Sequence, residues 1–556
     1  MIGRTVRLLL IAACLALPAE ARRTPPRPTV RLDVLYTSDV HGHLGREAAT
    51  FLNPEFPPSL GGGASAAGYI AHTRMAVENA GGHVLLFDSG DWFTGTPLGQ
   101  RTQGRAVIDY MNRQRYDASA VGNHDFDQGR AVAESLAADA KFPILAANLY
   151  DTATGQRVSW AQDVAWFDAG PIRIAVLGYI TEATPEMAFQ KNIAGLEFRP
   201  VIDMVPADVA RVRARGADLV FVLLHQGLPW AGDLEASYRT VVAREQAGTL
   251  RHRGMDAMEL ARAVPGVDAW FCGHTHQGYN QPWEDPVTHA LVFEPYANGS
   301  SLGHVTFTLD AATRQITRWE THFDRGALLT LLDEDVLPDT TEDRIIGAQV
   351  AESEQDLNVV VGHTEVALQN GPAESALLGF VMADAFREEL NADVAIQNTG
   401  GVRGRLVPGP ITRRALLEVS PFGNGMVLMR VPGGVLRGLI EDRLRGRAAG
   451  MFVSGMRVRF DLSRPEGARI VDVTVGGAPL DTTRTYTVAT TDYLAEGNSG
   501  LDRLRALPPE NVDPAGFTDR DVLERWLRRH DPLRIQNDGR WQRVSGAVAH
   551  PAAARE

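Results

Sequence analysis

Residues 121–127 read Val-Gly-Asn-His-Asp-Phe-Asp and follow a short apolar run at Ala118, Ala120 and Val121. An asparagine beside a histidine offers two functions at the end of a strand. The amide oxygen can ligate a cation, and the imidazole can contact a substrate. Asp127 stands three residues beyond His124, so one helical turn would put both on a common face and let the carboxylate fix the tautomer and charge of the ring. Taken alone, an Asn-His pair is an ordinary loop. Four further segments change that reading. Leu32 to Tyr36 runs into Ser38-Asp39-Val40-His41-Gly42-His43, and His83 to Phe87 runs into Asp88-Ser89-Gly90-Asp91. Leu219 to Leu224 ends at His225, and Val267 to Cys272 ends at Gly273-His274-Thr275-His276. Mixed oxygen and nitrogen donors of this kind suit two divalent cations that share one bridging carboxylate and keep open positions for water and substrate.

The elements that must position these side chains are buried strands. In open α/β sheets, ligands collect at the carboxyl ends of the strands, so five apolar runs ending in Asp, His and Asn are expected to converge on one site. From Val30 to about Asp324 strands alternate with helical stretches, including a strand at Ile172–Leu177 and helices over 66–78 and 255–263. Gly61-Gly62-Gly63-Ala64-Ser65 lacks the Gly-Lys-Ser/Thr ending of a phosphate-binding P-loop and reads as a loop feeding the first helix. The stretch 229–253 is longer than the turn needed there; it reads either as a surface insertion or as a rim over the metals. An acidic segment over 333–343, with Pro338, forms a linker leading into a helix over about 342–357 that carries Ile345, Ile346 and Val350 on one side.

At 556 residues the chain exceeds what one core serves, and two domains are expected: 30–325 and 359–543, joined by a linker with a helix over 326–358. The second contains strands at Met426–Val431 and Arg457–Phe460 and a helix over 435–443. The formal charge of −13 speaks against a nucleic-acid polymer as partner but not against a small phosphorylated substrate, because bound dications reverse the local field. Residues 1–21 read as a secretory signal: Arg4 and Arg7, an apolar run from Leu8 to Leu17 too short to span a membrane, and a cleavage site at Ala19-Glu20-Ala21. Cleavage after Ala21 makes the chain secreted or periplasmic and takes the formal charge to −14. It leaves Cys272 alone, so no internal disulfide forms. Lipid attachment at Cys14 is the alternative reading.

The order D-x-H, GD, GNH(D/E), H and GHxH resembles the calcineurin-like metallophosphoesterases, and the GNHDFD form resembles their secreted 5′-nucleotidase branch, which includes UDP-sugar hydrolases and cyclic-nucleotide phosphodiesterases. The resemblance implies a four-layer α/β/β/α sandwich followed by an α+β C-terminal domain. It implies that Asp39, His41, Asp91 and His276 hold one metal and that Asp91, Asn123, His225 and His274 hold the other. Zn, Mn, Co, Fe or Mg all suit this donor set. His124, paired with Asp127, would stabilise the transition state or protonate the leaving group. Some members carry Gln at the position of His276.

The second half resembles the 5′-nucleotidase C-terminal domain through Asn398-Thr399-Gly400-Gly401-Val402-Arg403, Pro421-Phe422-Gly423-Asn424 and Tyr493 to Gly500. This implies that Arg403 contacts phosphate and that Phe422 and Tyr493 sandwich the base, with Asn424 and Asn498 also at the substrate. Two departures stand out. Gly371-Pro372-Ala373 precedes Glu374-Ser375 where members often place an Arg, and Gly497-Asn498-Ser499-Gly500 stands where a ribose-binding Asp is usual. The function implied is release of phosphate from nucleotides by attack of a metal-activated hydroxide. Hydrolysis of 2′,3′-cyclic nucleotides or UDP-sugars on the same scaffold is the first alternative, and a non-catalytic binding protein is the second.

Overall fold

The structure, a computed structural model, describes residues 28–53, 55–445 and 450–544. The expected signal segment, Cys14 included, lies outside the described residues.

Two sheets face each other in the N-terminal half. The first runs, in spatial order, Gln315–Thr321, Ser301–Asp310, Thr29–Thr37, His83–Asp88, Ala118–Ala120 and Ile144–Leu145, with Leu328–Thr330 also paired to Ser301–Asp310. The second runs Trp283–Glu284, Leu291–Phe293, Ala269–Cys272, Leu219–His225, Ile172–Ile180 and Val164–Ala169. The central strands of each are parallel, and the antiparallel ones lie at the edges. Alternation along a strand sends successive side chains to opposite faces. Leu32, Val34 and Tyr36 therefore meet Phe221, Phe271 and Phe293 between the sheets, while Leu35 joins the helices outside the first sheet. A third apolar cluster lies under the helices of the second sheet. The result is the four-layer α/β/β/α sandwich.

One residue on the outer face of the strand Thr29–Thr37 is a buried acid. Asp33 is fully buried on the helix side and accepts hydrogen bonds from Arg31, from His304 Nε2 at 2.8 Å and from Thr306 at 2.7 Å. The Tyr69 hydroxyl bonds His304 Nδ1, which ties the helix Gly62–Asn79 to this network. Burial alone would lift the Asp33 carboxyl, but bonds from His304, Arg31 and Thr306 hold it well below the usual carboxylate range. A folded pKa below the unfolded one stabilises above the unfolded value, and the gain is lost as pH falls towards the folded value. Asp33→Ala is expected to cost about 3–5 kcal/mol at neutral pH, the scale for breaking a buried charged pair. In acid the difference from wild type should shrink. Urea unfolding at both pH values checks this, and an equal difference at both would show that the carboxylate charge is not the cause.

The first helix begins at Gly62, four residues earlier than the periodicity predicts, because the three glycines fold into its first turn. The insertion forms a helix at Leu234–Gln246 that docks on the helix Ala257–Ala263. Tyr238 and Glu245 bond Arg262, and His252 bonds Glu259. It forms no rim: none of its described residues lines the cavity described below. The linker helix spans Thr340–Ser353 and is not a free connector. It carries Ile346 into the catalytic core, Glu342 pairs with Arg113, and Asp333 and Asp343 pair with Arg46.

The C-terminal half is α+β. A five-stranded mixed sheet in the order Phe452–Ser454, Val394–Gln397, Thr485–Thr491, Gly425–Pro432 and Val512–Thr518 packs against the helices Leu377–Glu389 and Asp519–Arg529. Its predicted helix over 435–443 starts two residues earlier, at Gly433.

Candidate functional site

Each of the five strand ends delivers its polar residues to one place. Asp39, His41, Asp91 and His276 present ligand atoms within 4.8 Å of one another, and so do Asp91, His225 and His274. Asp91 belongs to both groups. The backbone is bent to bring them there: Asp39, His41, Asp91, His274 and His276 all have left-handed φ, between 51° and 76°. Such conformations are unfavourable for residues with a Cβ and mark places where surrounding structure holds the chain against its preference. Two glycines make room. A Cβ on Gly122 would lie 2.1 Å from Asp91 Oδ1, and one on Gly273 would lie 1.8 Å from the Ser38 hydroxyl.

The imidazoles are oriented from behind. His41 Nδ1 donates to the Thr94 carbonyl at 2.7 Å, and His225 Nδ1 donates to the Ser89 carbonyl at 2.7 Å. In both rings this leaves the Nε2 lone pair facing inwards, the arrangement that metal-ligating histidines adopt. His225 Nε2 then lies 3.1 Å from Asp91 Oδ2 and 3.2 Å from Asn123 Oδ1, and His41 Nε2 lies 3.0 Å from His276 Nε2. Asp91 Oδ1 accepts from the backbone of His124 at 2.8 Å, whereas Oδ2 is buried with no hydrogen-bond partner. A buried carboxylate oxygen without a partner is costly in a protein interior. Acceptors crowded on acceptors, around an orphaned carboxylate oxygen, fit divalent cations held by carboxylate, amide and imidazole donors.

The electrostatics agree. Burial, reinforced by neighbouring imidazoles, takes His41 and His274 down to about 3, so both are neutral and able to ligate. Burial works the same way on His225, but Asp91 overrides it and draws its pKa up to about 10. A proton and a cation compete for that position.

A third Asp/His group, Asp33 with His304 and His322, has ligand atoms equally close together but lacks this geometry. Its two rings stack in parallel, 3.7 Å apart at 8°, and cannot both aim an in-plane lone pair at one ion. In the site above, His41 is splayed from His276 by 59° and His225 from His274 by 61°. Asp33 is also clamped by Arg31. It is a hydrogen-bond network.

His124 and Asp127 meet as their spacing predicts. The turn Asn123–Phe126 is 3-10, and His124 Nδ1 lies 2.8 Å from Asp127 Oδ2. Burial opposes protonation of His124, but Asp127 and Asp91 carry its pKa up to about 9. Asp125, which the motif alone does not single out, anchors the same turn. Its buried carboxylate accepts from the backbone N–H of Gly122 at 2.7 Å, Trp92 at 2.8 Å and Asp91 at 3.2 Å.

A cavity of about 400 Å³ opens from this cluster and is walled on its far side by the C-terminal half. Arg403, Phe422, Asn424 and Tyr493 line it, as does His124, whose ring lies parallel to Phe422 at 6.3 Å. The Arg403 guanidinium stands 5.6 Å from the Phe422 ring. Asn498 does not line the cavity. Its amide donates to the Tyr493 carbonyl at 2.9 Å, and the left-handed Ser499 takes its place, with its hydroxyl bonded to Asn398. Arg405, the next Arg after Arg403, is exposed on a short strand and is not in the lining. Met187 and Phe189, which carry no motif, do line it from the catalytic half.

Residues 32–278 match the calcineurin-like phosphoesterase family and residues 350–506 the 5′-nucleotidase C-terminal domain. The chain is 26% identical to the protein UshA of Yersinia enterocolitica, over 91% of this chain and 92% of that one. It is 27% identical to the snake venom 5′-nucleotidase of Crotalus adamanteus, over 96% and 92% of the two chains. Among solved structures, a 5′-nucleotidase precursor from Thermus thermophilus superposes with a TM-score of 0.75 at 24% identity, covering 93% of this chain and all of that one. The order of these two matched regions, together with the Asp/His cluster at the strand ends, places the chain among the metal-dependent phosphoesterases that join a calcineurin-like phosphoesterase domain to a 5′-nucleotidase C-terminal domain.

Proposed function

We propose that the protein releases phosphate from nucleotides and that two divalent ions serve the reaction. Asp39, His41, Asp91 and His276 would hold one ion, and Asp91, Asn123, His225 and His274 the other. The observation that carries this reading is the single cavity that has Asp91, Asn123, His274 and His276 on one wall and a cation with two aromatic rings on the other. Bound ions of this kind polarise a phosphoryl group and lower the pKa of water. The chain's own residues do the rest. Arg403 binds the phosphate and offsets the charge that develops on it. Phe422 and Tyr493 hold the base through its π-face, which every base possesses. His124, kept protonated and oriented by Asp127, gives a proton to the departing alcohol.

A diester or nucleotide-sugar substrate is the second reading, and one observation favours it. Among the described cavity-lining residues Arg403 is the single Lys or Arg, and Ser499 offers a hydroxyl where an acid would grip a ribose diol. A less charged phosphate fits such a wall better. The test is a panel of AMP, 2′,3′-cyclic AMP, UDP-glucose and bis(p-nitrophenyl) phosphate with added Mn or Zn. AMP is expected to be turned over best, with activity lost to a chelator. Faster turnover of the diesters would move the assignment to the second reading, and turnover of none would leave a binding protein.

Export with cleavage after Ala21 belongs to the same proposal and rests on the composition of residues 1–21. No helix among the described residues is long and apolar enough to cross a membrane.

A further inference from the structure

The segment 187–192 follows the short helix Thr184–Met187 in the catalytic half, and nothing in its sequence marks it. It nevertheless touches both ends of the substrate cavity. At one end, the Asn192 amide donates to the Asp127 carbonyl at 2.7 Å, next to the dyad that orients His124. At the other, three successive residues grip the C-terminal half. The Phe189 ring meets Tyr493 edge-on, with centroids 5.6 Å apart at 82°. The Gln190 backbone N–H donates to Glu496 at 3.0 Å, and the Lys191 ammonium lies 3.3 Å from Asp492. Lys191 also stands 4.8 Å from the centre of the Phe189 ring. Asp492, Tyr493 and Glu496 sit in and just after one short helical turn, so the grip falls on the element that presents Tyr493 to the cavity.

Phe189 is half-buried and lines the cavity itself. Its edge-on contact with Tyr493 joins it to a ring of the other half. We infer that Phe189 is a specificity-determining residue: it is the catalytic half's contribution to the pocket for the flat group of the substrate, and with Gln190 and Lys191 it clasps Tyr493 in place when the two halves meet. This deepens the nucleotide reading and rests on it. A phosphate ester without a base makes no use of the clasp, because its reacting end is held by the metal cluster and Arg403 alone. A nucleotide uses both ends of the cavity.

AMP and ribose 5-phosphate separate the two cases, since they share the ester and the sugar and differ in the base. In the full chain with its metals, Phe189→Ala is expected to lower kcat/KM for AMP by roughly tenfold to a hundredfold, the range for losing one base–aromatic contact, mostly through KM. Turnover of ribose 5-phosphate should be unchanged, which also shows that the variant is folded and loaded. Phe189→Tyr should restore the preference. If wild type prefers AMP and Phe189→Ala keeps that preference, the clasp is overturned. It is equally overturned if both substrates lose activity in parallel, because Phe189 would then support the site as a whole. If wild type shows no preference for AMP over ribose 5-phosphate, the nucleotide reading itself fails, which is a different result.

Discussion

Asp91→Asn is expected to release both metal ions together and to take the activity with them. Its two oxygens have different surroundings: one is fixed by the His124 backbone, and the other is buried without a hydrogen-bond partner, 3.1 Å from His225 Nε2. Amidation removes the one ligand that, among the described residues, belongs to both Asp/His groups. The loss of turnover should exceed the roughly 10²–10⁴-fold that a positioned acid–base group contributes, because substrate activation goes as well as proton transfer. His225→Ala removes a ligand from one group alone, so it should empty mainly that position. Elemental analysis after gel filtration distinguishes the two variants. Two tightly held ions per chain in Asp91→Asn would show that Asp91 is not the bridge.

His124→Asn should leave the metal content unchanged and cut kcat on the order of 10²–10⁴-fold, the usual contribution of a proton donor held in place. The ring lies in the cavity between the Asp/His cluster and Phe422, and its Nδ1 is committed to Asp127. That leaves Nε2 for the substrate. The loss should be largest for poor leaving groups such as ribose alcohols and smallest for p-nitrophenol, which departs without a proton. A variant that hydrolyses AMP at a near-normal rate would remove His124 from the chemistry.

The Asp/His cluster on one wall of the cavity was legible in the sequence for a physical reason. A buried strand is a short apolar run and its end is abrupt. Asp, His and Asn immediately after five such ends are hard to account for except as ligands. His124 and Asp127 were legible because three residues make one turn. What the chain hid follows from the same logic. Phe189 sits in a loop without periodicity and Met187 ends a helix of four residues, and their role depends on residues far along the chain in the other half. Asn498 and Ser499 differ by one step in a left-handed turn, where a single residue decides which side chain faces the cavity. Asp125 was in plain view inside its motif, but only the fold shows that its carboxylate collects three backbone N–H groups. The linker helix was seen, yet its docking on the catalytic half depends on Arg46 and Arg113, far upstream.

That docking sets the mechanical freedom of the molecule. Because the helix ending at Ser353 is part of the catalytic body and the next strand starts at Val360, the two halves are joined by six residues, 354–359. Fully extended, such a tether reaches only about 20 Å. The halves cannot separate beyond that reach, and each wall of the cavity stays in the presence of the other at an effective concentration in the range of ~1 mM or above. Weak contacts are then sufficient to bring the walls together. A ring–ring contact, a backbone hydrogen bond and an exposed ion pair, each weak between free proteins, become enough to decide how often Phe189 and Tyr493 meet.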